Sequence, residues 1–86
     1  MSEFVEFELN DDQLAEELKK LGYQVSKSRE GNKIRKDTHL MSVINELVPI
    51  VEKAGINAWD LHLKEYNKGD ARLVGEYSNG RIVSYN

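Results

Sequence analysis

The chain has 86 residues, 40% of them hydrophobic and 31% charged, with no cysteine and a net charge of −3. That composition excludes disulfides and thiolate metal sites, and it suits one folded domain over residues 1–86 with a modest core rather than a disordered tail. The longest unbroken apolar run, residues 47–51, is far short of the ~20 residues of a bilayer span, and MSEFVEFELN lacks the basic start and apolar run of a leader, so a soluble cytoplasmic protein without membrane contact is expected.

Residues 4–9 alternate, with Val5, Phe7 and Leu9 on one side and Phe4, Glu6 and Glu8 on the other. That is the period of a half-buried strand, placed here at a sheet edge. Asn10 then opens a helix, with Gln13 spaced for a capping box. Asp11 and Asp12 fall in its first turn and Lys19 and Lys20 in its last, as the helix dipole favours, and Gly22 ends it. Its apolar stripe is narrow: Leu14, Leu18 and Leu21. Residues 23–36 offer only Tyr23, Val25 and Ile34 as apolar anchors around a turn at Glu30-Gly31-Asn32. A loose hairpin, or a mobile basic loop that opens readily, is expected there.

Asp37 or Thr38 is the expected cap of a second helix over 38–54. Leu40, Val43, Ile44, Leu47, Ile50, Val51 and Ala54 fill one side of it, with Met41 and Val48 at the margin. This apolar arc is wider than the roughly 100° a surface helix needs. Pro49 falls on the polar side, where a bent helix faces solvent, so one kinked helix is expected rather than two short ones. Gly55 ends it, followed by Ile56. From Trp59 the pattern is β. Trp59, Leu61 and Leu63 alternate with Asp60, His62 and Lys64, a turn follows at 67–70, and a strand over 71–77 carries a bulge candidate at Gly75. Asn79-Gly80 then reads as a two-residue hairpin turn before a last strand over 82–85.

The fold class expected is α+β in two layers. A long amphipathic helix packs on an antiparallel sheet made of the C-terminal three-strand meander plus the N-terminal strand, in the order β-α-(β-β)-α-β-β-β.

The charges are sorted along the chain. Residues 1–17 hold seven acids and no lysine or arginine, and residues 18–36 hold seven bases and one acid, Glu30. Lys27, Arg29, Lys33, Arg35 and Lys36 form a basic segment suited to phosphates or to an acidic protein surface. Tyr23 is the only aromatic nearby, which is thin for base stacking. Glu6, Glu8, Glu16 and Glu17 are read as an acidic face. A strand followed by two helices superficially resembles the ribbon-helix-helix motif, but Glu6 and Glu8 would then face DNA phosphates and the basic insertion interrupts the pattern.

Signals for catalysis are weak. His39 and His62 have carboxylates nearby in sequence (Asp37, Asp60), but a metal site would need these distant positions to converge. The paired glutamates lie where a carboxyl stays solvated rather than raised in pKa. The serines have no partner motif, and the glycines form no phosphate loop. The expectation is therefore no enzyme, no cofactor and no metal. The preferred reading is a protein-binding module acting as a small regulator or inhibitor, by compositional analogy of the phage or mobile-element type. The alternative is RNA or DNA binding through residues 27–36. Apolar surface on the second helix and at Val74, Val83 and Tyr85 exceeds what one small sheet requires, which admits a homodimer.

Overall fold

Which side of the first strand is buried decides the architecture. The computed structural model describes residues 3–85. In chain order they form β1 (Glu3–Leu9), α1 (Asp12–Lys20), β2 (Gln24–Ser28), β3 (Gly31–Lys36), α2 (Leu40–Lys53), a single 3₁₀ turn (Ala58–Asp60), β4 (His62–Asn67), β5 (Leu73–Ser78) and β6 (Arg81–Ser84). The strands make one antiparallel sheet in the order β2-β3-β1-β4-β5-β6. Both helices lie on the side to which Val5, Phe7 and Leu9 point. There Leu14, Ala15 and Leu18 of α1 and Leu40, Val43, Leu47 and Val51 of α2 join the strands in one buried cluster with Ile34, Leu61, Leu63 and Tyr77. The result is a two-layer α+β fold with one sheet face covered and one open.

The order of elements is the one expected, but β1 is not at an edge. It sits in the middle, paired with β3 from Val5↔Lys36 to Leu9↔Asn32 and with β4 from Glu3↔Asn67 to Glu6↔Lys64. Of the two alternatives for residues 23–36, the hairpin is the one formed, as β2–β3, and not a mobile loop. Few anchors hold it, but Tyr23 and Ile34 are buried and Val25 partly so. Ile34 is buried opposite Phe7, and Tyr23 packs edge-on against Phe7 with ring centroids 6.2 Å apart. Asn32 is only 2% exposed, and its Nδ2 donates to Leu9 O at 3.2 Å and to Asp12 Oδ1 at 2.9 Å.

Both helix starts differ from expectation by competition for side chains. Asp11 caps α1, its carboxylate accepting from Leu14 N at 3.0 Å. Asn10 packs instead against Gly31, where a Cβ would lie 1.8 Å from Asn10 Oδ1 and φ is +125°. α2 starts after His39, with no side-chain cap, because Asp37 is turned to Lys68 Nζ at 2.6 Å and to Arg35. α2 runs through the exposed Pro49 without interruption. Both helices end in the same double-bonded cap: Tyr23 N to Leu18 O and Gly22 N to Lys19 O, then Ile56 N to Val51 O and Gly55 N to Glu52 O.

Trp59 is not a strand residue. Asn57 accepts from Trp59 N at 3.0 Å and closes the 3₁₀ turn, so β4 begins only at His62. Leu21, expected in the α1 stripe, is exposed, and Ala15 takes its place in the core. β5 begins at Leu73, and its register slips opposite Glu65 and Tyr66, beside Gly75, as a bulge there requires. Asn79 and Gly80 both have positive φ and join β5 to β6, as the dipeptide signals.

Candidate binding surfaces: the open sheet face and the β6 edge

The strand registers place Gln24, Arg35, Glu6, Lys64, Glu76 and Val83 in one row across all six strands on the open face. Adjacent strands lie about 4.8 Å apart, so this is a ladder of alternating charge. The acids clustered in β1 thus face the bases clustered in β3. Lys33 Nζ is 3.9 Å from Glu6 Oε2, and Arg35 Nε is 3.6 Å from Asp37 Oδ1. On the covered side Lys27 Nζ pairs with Asp12 Oδ1 at 2.8 Å, and Lys36 Nζ reaches Glu46 Oε1 at 3.1 Å. The sequence segregation is therefore partly neutralised within the molecule, at Lys19–Glu16, Lys27–Asp12 and Lys33–Glu6.

The basic segment consequently has no common surface. Lys33 and Arg35 stand on the open face, Lys27 and Lys36 on the helix side, and Arg29 at the exposed β2–β3 turn. The four glutamates divide likewise: Glu6 and Glu8 project from β1 on the open face, whereas Glu16 and Glu17 lie on α1 in the helix layer. They do not form one acidic face.

The lysine beside Asp12, with Asn32, holds its carboxyl below the usual range, and Lys68 does the same for Asp37. At Glu76 the Tyr85 hydroxyl, then His62 Nε2, lower the carboxyl, while the same carboxylate raises Tyr85. These shifts come from pairing on a wet surface, not from a carboxyl sunk in an apolar cleft. A depression of about 350 Å³ on the open face is lined by Glu6, Glu8, Lys33, Asp60, His62, Lys64 and Tyr66.

His39 and His62 do not converge: His62 meets Glu76, and His39 Nδ1 lies 3.1 Å from Glu3 Oε1 and 3.9 Å from Glu65 Oε2. Glu3, His39 and Glu65 bring their donor atoms within 4.8 Å of one another, the one such group among the described residues. Sequence reading missed it because Glu3 and Glu65 meet only through the β1–β4 pairing.

Two features had little sequence signal. On the open face Arg35 lies 3.9 Å over the Phe4 ring, and Phe4 stacks on Tyr66 at 5.2 Å, which is how an outward-facing phenylalanine becomes buried. At the other end of the sheet, β6 is exposed along its whole length. Ile82 is 47% exposed, Val83 44%, Tyr85 40% and the neighbouring Trp59 64%. Trp59 lies against the β5–β6 turn, close enough that a Cβ at Gly80 would come within 2.7 Å of its ring. The opposite edge, β2, is polar: Gln24, Ser26, Lys27 and Ser28.

Among the described residues no helix is long and apolar enough to cross a membrane. Comparison with protein-family models, curated proteins and solved structures finds no match.

Proposed function

We propose that this chain is a protein-binding module, a small regulator or inhibitor that acts by covering a partner, and that it engages the partner through the β6 edge. The observation carrying this is the contrast between the two sheet edges. A free edge presents unpaired backbone groups, and proteins normally blunt it with lysine, proline, a bulge or a cover. β2 carries such polar residues, whereas β6 offers Ile82, Val83 and the adjoining Trp59 and Tyr85 to solvent. Exposed tryptophan and tyrosine are among the side chains that most often carry the energy of protein–protein contacts.

A second reading, nucleic-acid binding, is supported by Arg29, Lys33 and Arg35 together with the Phe4–Tyr66 stack on the open side. It is opposed by Glu6, Glu8 and Glu76 interleaved with those cations, which repel phosphate.

One experiment separates the two. The intact chain is used to capture partners from extract with and without nuclease, beside a Trp59→Ala/Val83→Lys variant and an Arg29→Ala/Lys33→Ala/Arg35→Ala/Lys36→Ala variant. Capture of a protein that survives nuclease and is lost with the first variant is expected. Capture that vanishes with nuclease and with the second variant establishes the nucleic-acid reading instead.

A further inference from the structure

We infer that the occupant of the β6 edge is a second copy of this chain, paired β6 to β6 about a two-fold axis through Val83. This rests on the reading of that edge as a protein-binding surface and specifies what holds it in the isolated protein, where a foreign partner would have to displace it.

The backbone parity of β6 shows which of its groups are free to pair, and a two-fold at Val83 pairs all of those within the strand. Tyr85 N donates to Val74 O at 3.0 Å. In an antiparallel ladder this turns the backbone groups of Arg81, Val83 and Tyr85 toward β5 and those of Ile82 and Ser84 outward. An antiparallel partner centred on Val83 sets Ile82 opposite the partner's Ser84, and Ser84 opposite the partner's Ile82. Both outward N–H groups and both outward carbonyls of each copy are then satisfied, four hydrogen bonds in all.

The side chains obey the same symmetry. Val83 meets its own counterpart in the closer, non-hydrogen-bonded kind of pair. Arg81 falls opposite the partner's Tyr85, whose hydroxyl is bound to Glu76. Arg81 forms no ion pair among the described residues of its own chain. In the dimer its guanidinium gains a ring face and a nearby carboxylate, and the partner's Arg81 makes the same contact in return. Such a patch, complementary to itself, is what an isologous interface requires.

Sedimentation equilibrium of the full chain from about 1 μM to about 1 mM tests this. The mass should rise from 9.9 kDa toward twice that value. Val83→Lys places two lysines on the axis and Val83→Glu two glutamates, so each variant alone should stay monomeric. An equimolar mixture of the two should recover the dimer, which also establishes that both fold. Ser84→Pro deletes an outward N–H without touching a β5 bond, and it should weaken the dimer at unchanged circular dichroism. A wild-type chain that stays monomeric throughout, or a Val83→Lys chain that still dimerises, overturns the inference. In either case, a foreign protein captured through Trp59 and Val83 leaves the protein-binding reading standing.

Discussion

The Tyr23 hydroxyl donates a 2.6 Å hydrogen bond to Glu46 Oε1, tying the cap of α1 to the middle of α2. Lys36 donates to the same oxygen and lies 4.5 Å over the Tyr23 ring, so β3 is drawn into the same knot. The tyrosine, then the lysine, hold the Glu46 carboxyl below its ordinary 4.5, while burial and then Glu46 push the tyrosine above its ordinary 10.0. A lowered carboxyl contributes stability that is present above the unfolded value and lost as pH falls. A raised phenol contributes stability that is present below its unfolded value and lost as pH rises. Tyr23→Phe should therefore cost about 1 kcal/mol near neutrality, below the usual range for a charged acceptor because Glu46 is partly hydrated. In urea titrations the gap between variant and parent should narrow below about pH 4.5 and above about pH 10.

Asn32 is the buried polar residue of the sheet, and its two bonds join β1 to the first turn of α1. Replacing it with leucine removes the donor to both the Leu9 carbonyl and the Asp12 carboxylate. A loss of about 2 kcal/mol in denaturant unfolding is expected. Asn32→Asp should cost more, since it sets a second carboxylate against Asp12 and against a carbonyl, and raising the salt concentration should recover part of the difference.

Gly80 to alanine tests the seat of Trp59. The added methyl would strike the indole at 2.7 Å, and φ there is +76°. Backbone strain alone costs about 1 kcal/mol. Because Trp59 is the only tryptophan, its fluorescence reports the displacement directly, and a changed emission maximum in the folded variant is expected. An unchanged spectrum would mean that the ring does not rest on the turn.

Arg35 should matter to stability whether or not anything binds to it. It closes the stack over Phe4 and Tyr66. Arg35→Ala should lower stability by about 1 kcal/mol, and Arg35→Lys by less, because a lysine keeps the charge but not the flat contact. A side chain serving phosphate alone would leave the melting temperature unmoved.

The sequence carried the elements better than their neighbours. Periodicity in residues 4–9 and 38–54, the dipeptide Asn79-Gly80 and the helix-ending glycines all mark elements the structure has, because these signals are local. The place of β1 was not legible, since a strand that alternates apolar and acidic residues resembles an edge strand; its acids are tolerated centrally because β3 and β4 set Arg35 and Lys64 opposite Glu6. The charge sorting was legible as a pattern, but its cause was not. It records two strands that lie side by side, with Lys33 opposite Glu8 and Arg35 opposite Glu6. Trp59 misled because three alternating apolar residues outweighed the Asn57 side chain that closes the turn ahead of β4.

The central position of β1 bears on how the chain reaches this state. Its two neighbours lie downstream, and Tyr66, which covers Phe4, is sixty-two positions away in the chain. During synthesis β1 must wait with Phe4 uncovered until β4 has emerged. Sheets closed by such distant pairings assemble slowly. The interval between making the first strand and making the fourth is therefore when this protein is most exposed to aggregation and to chaperones.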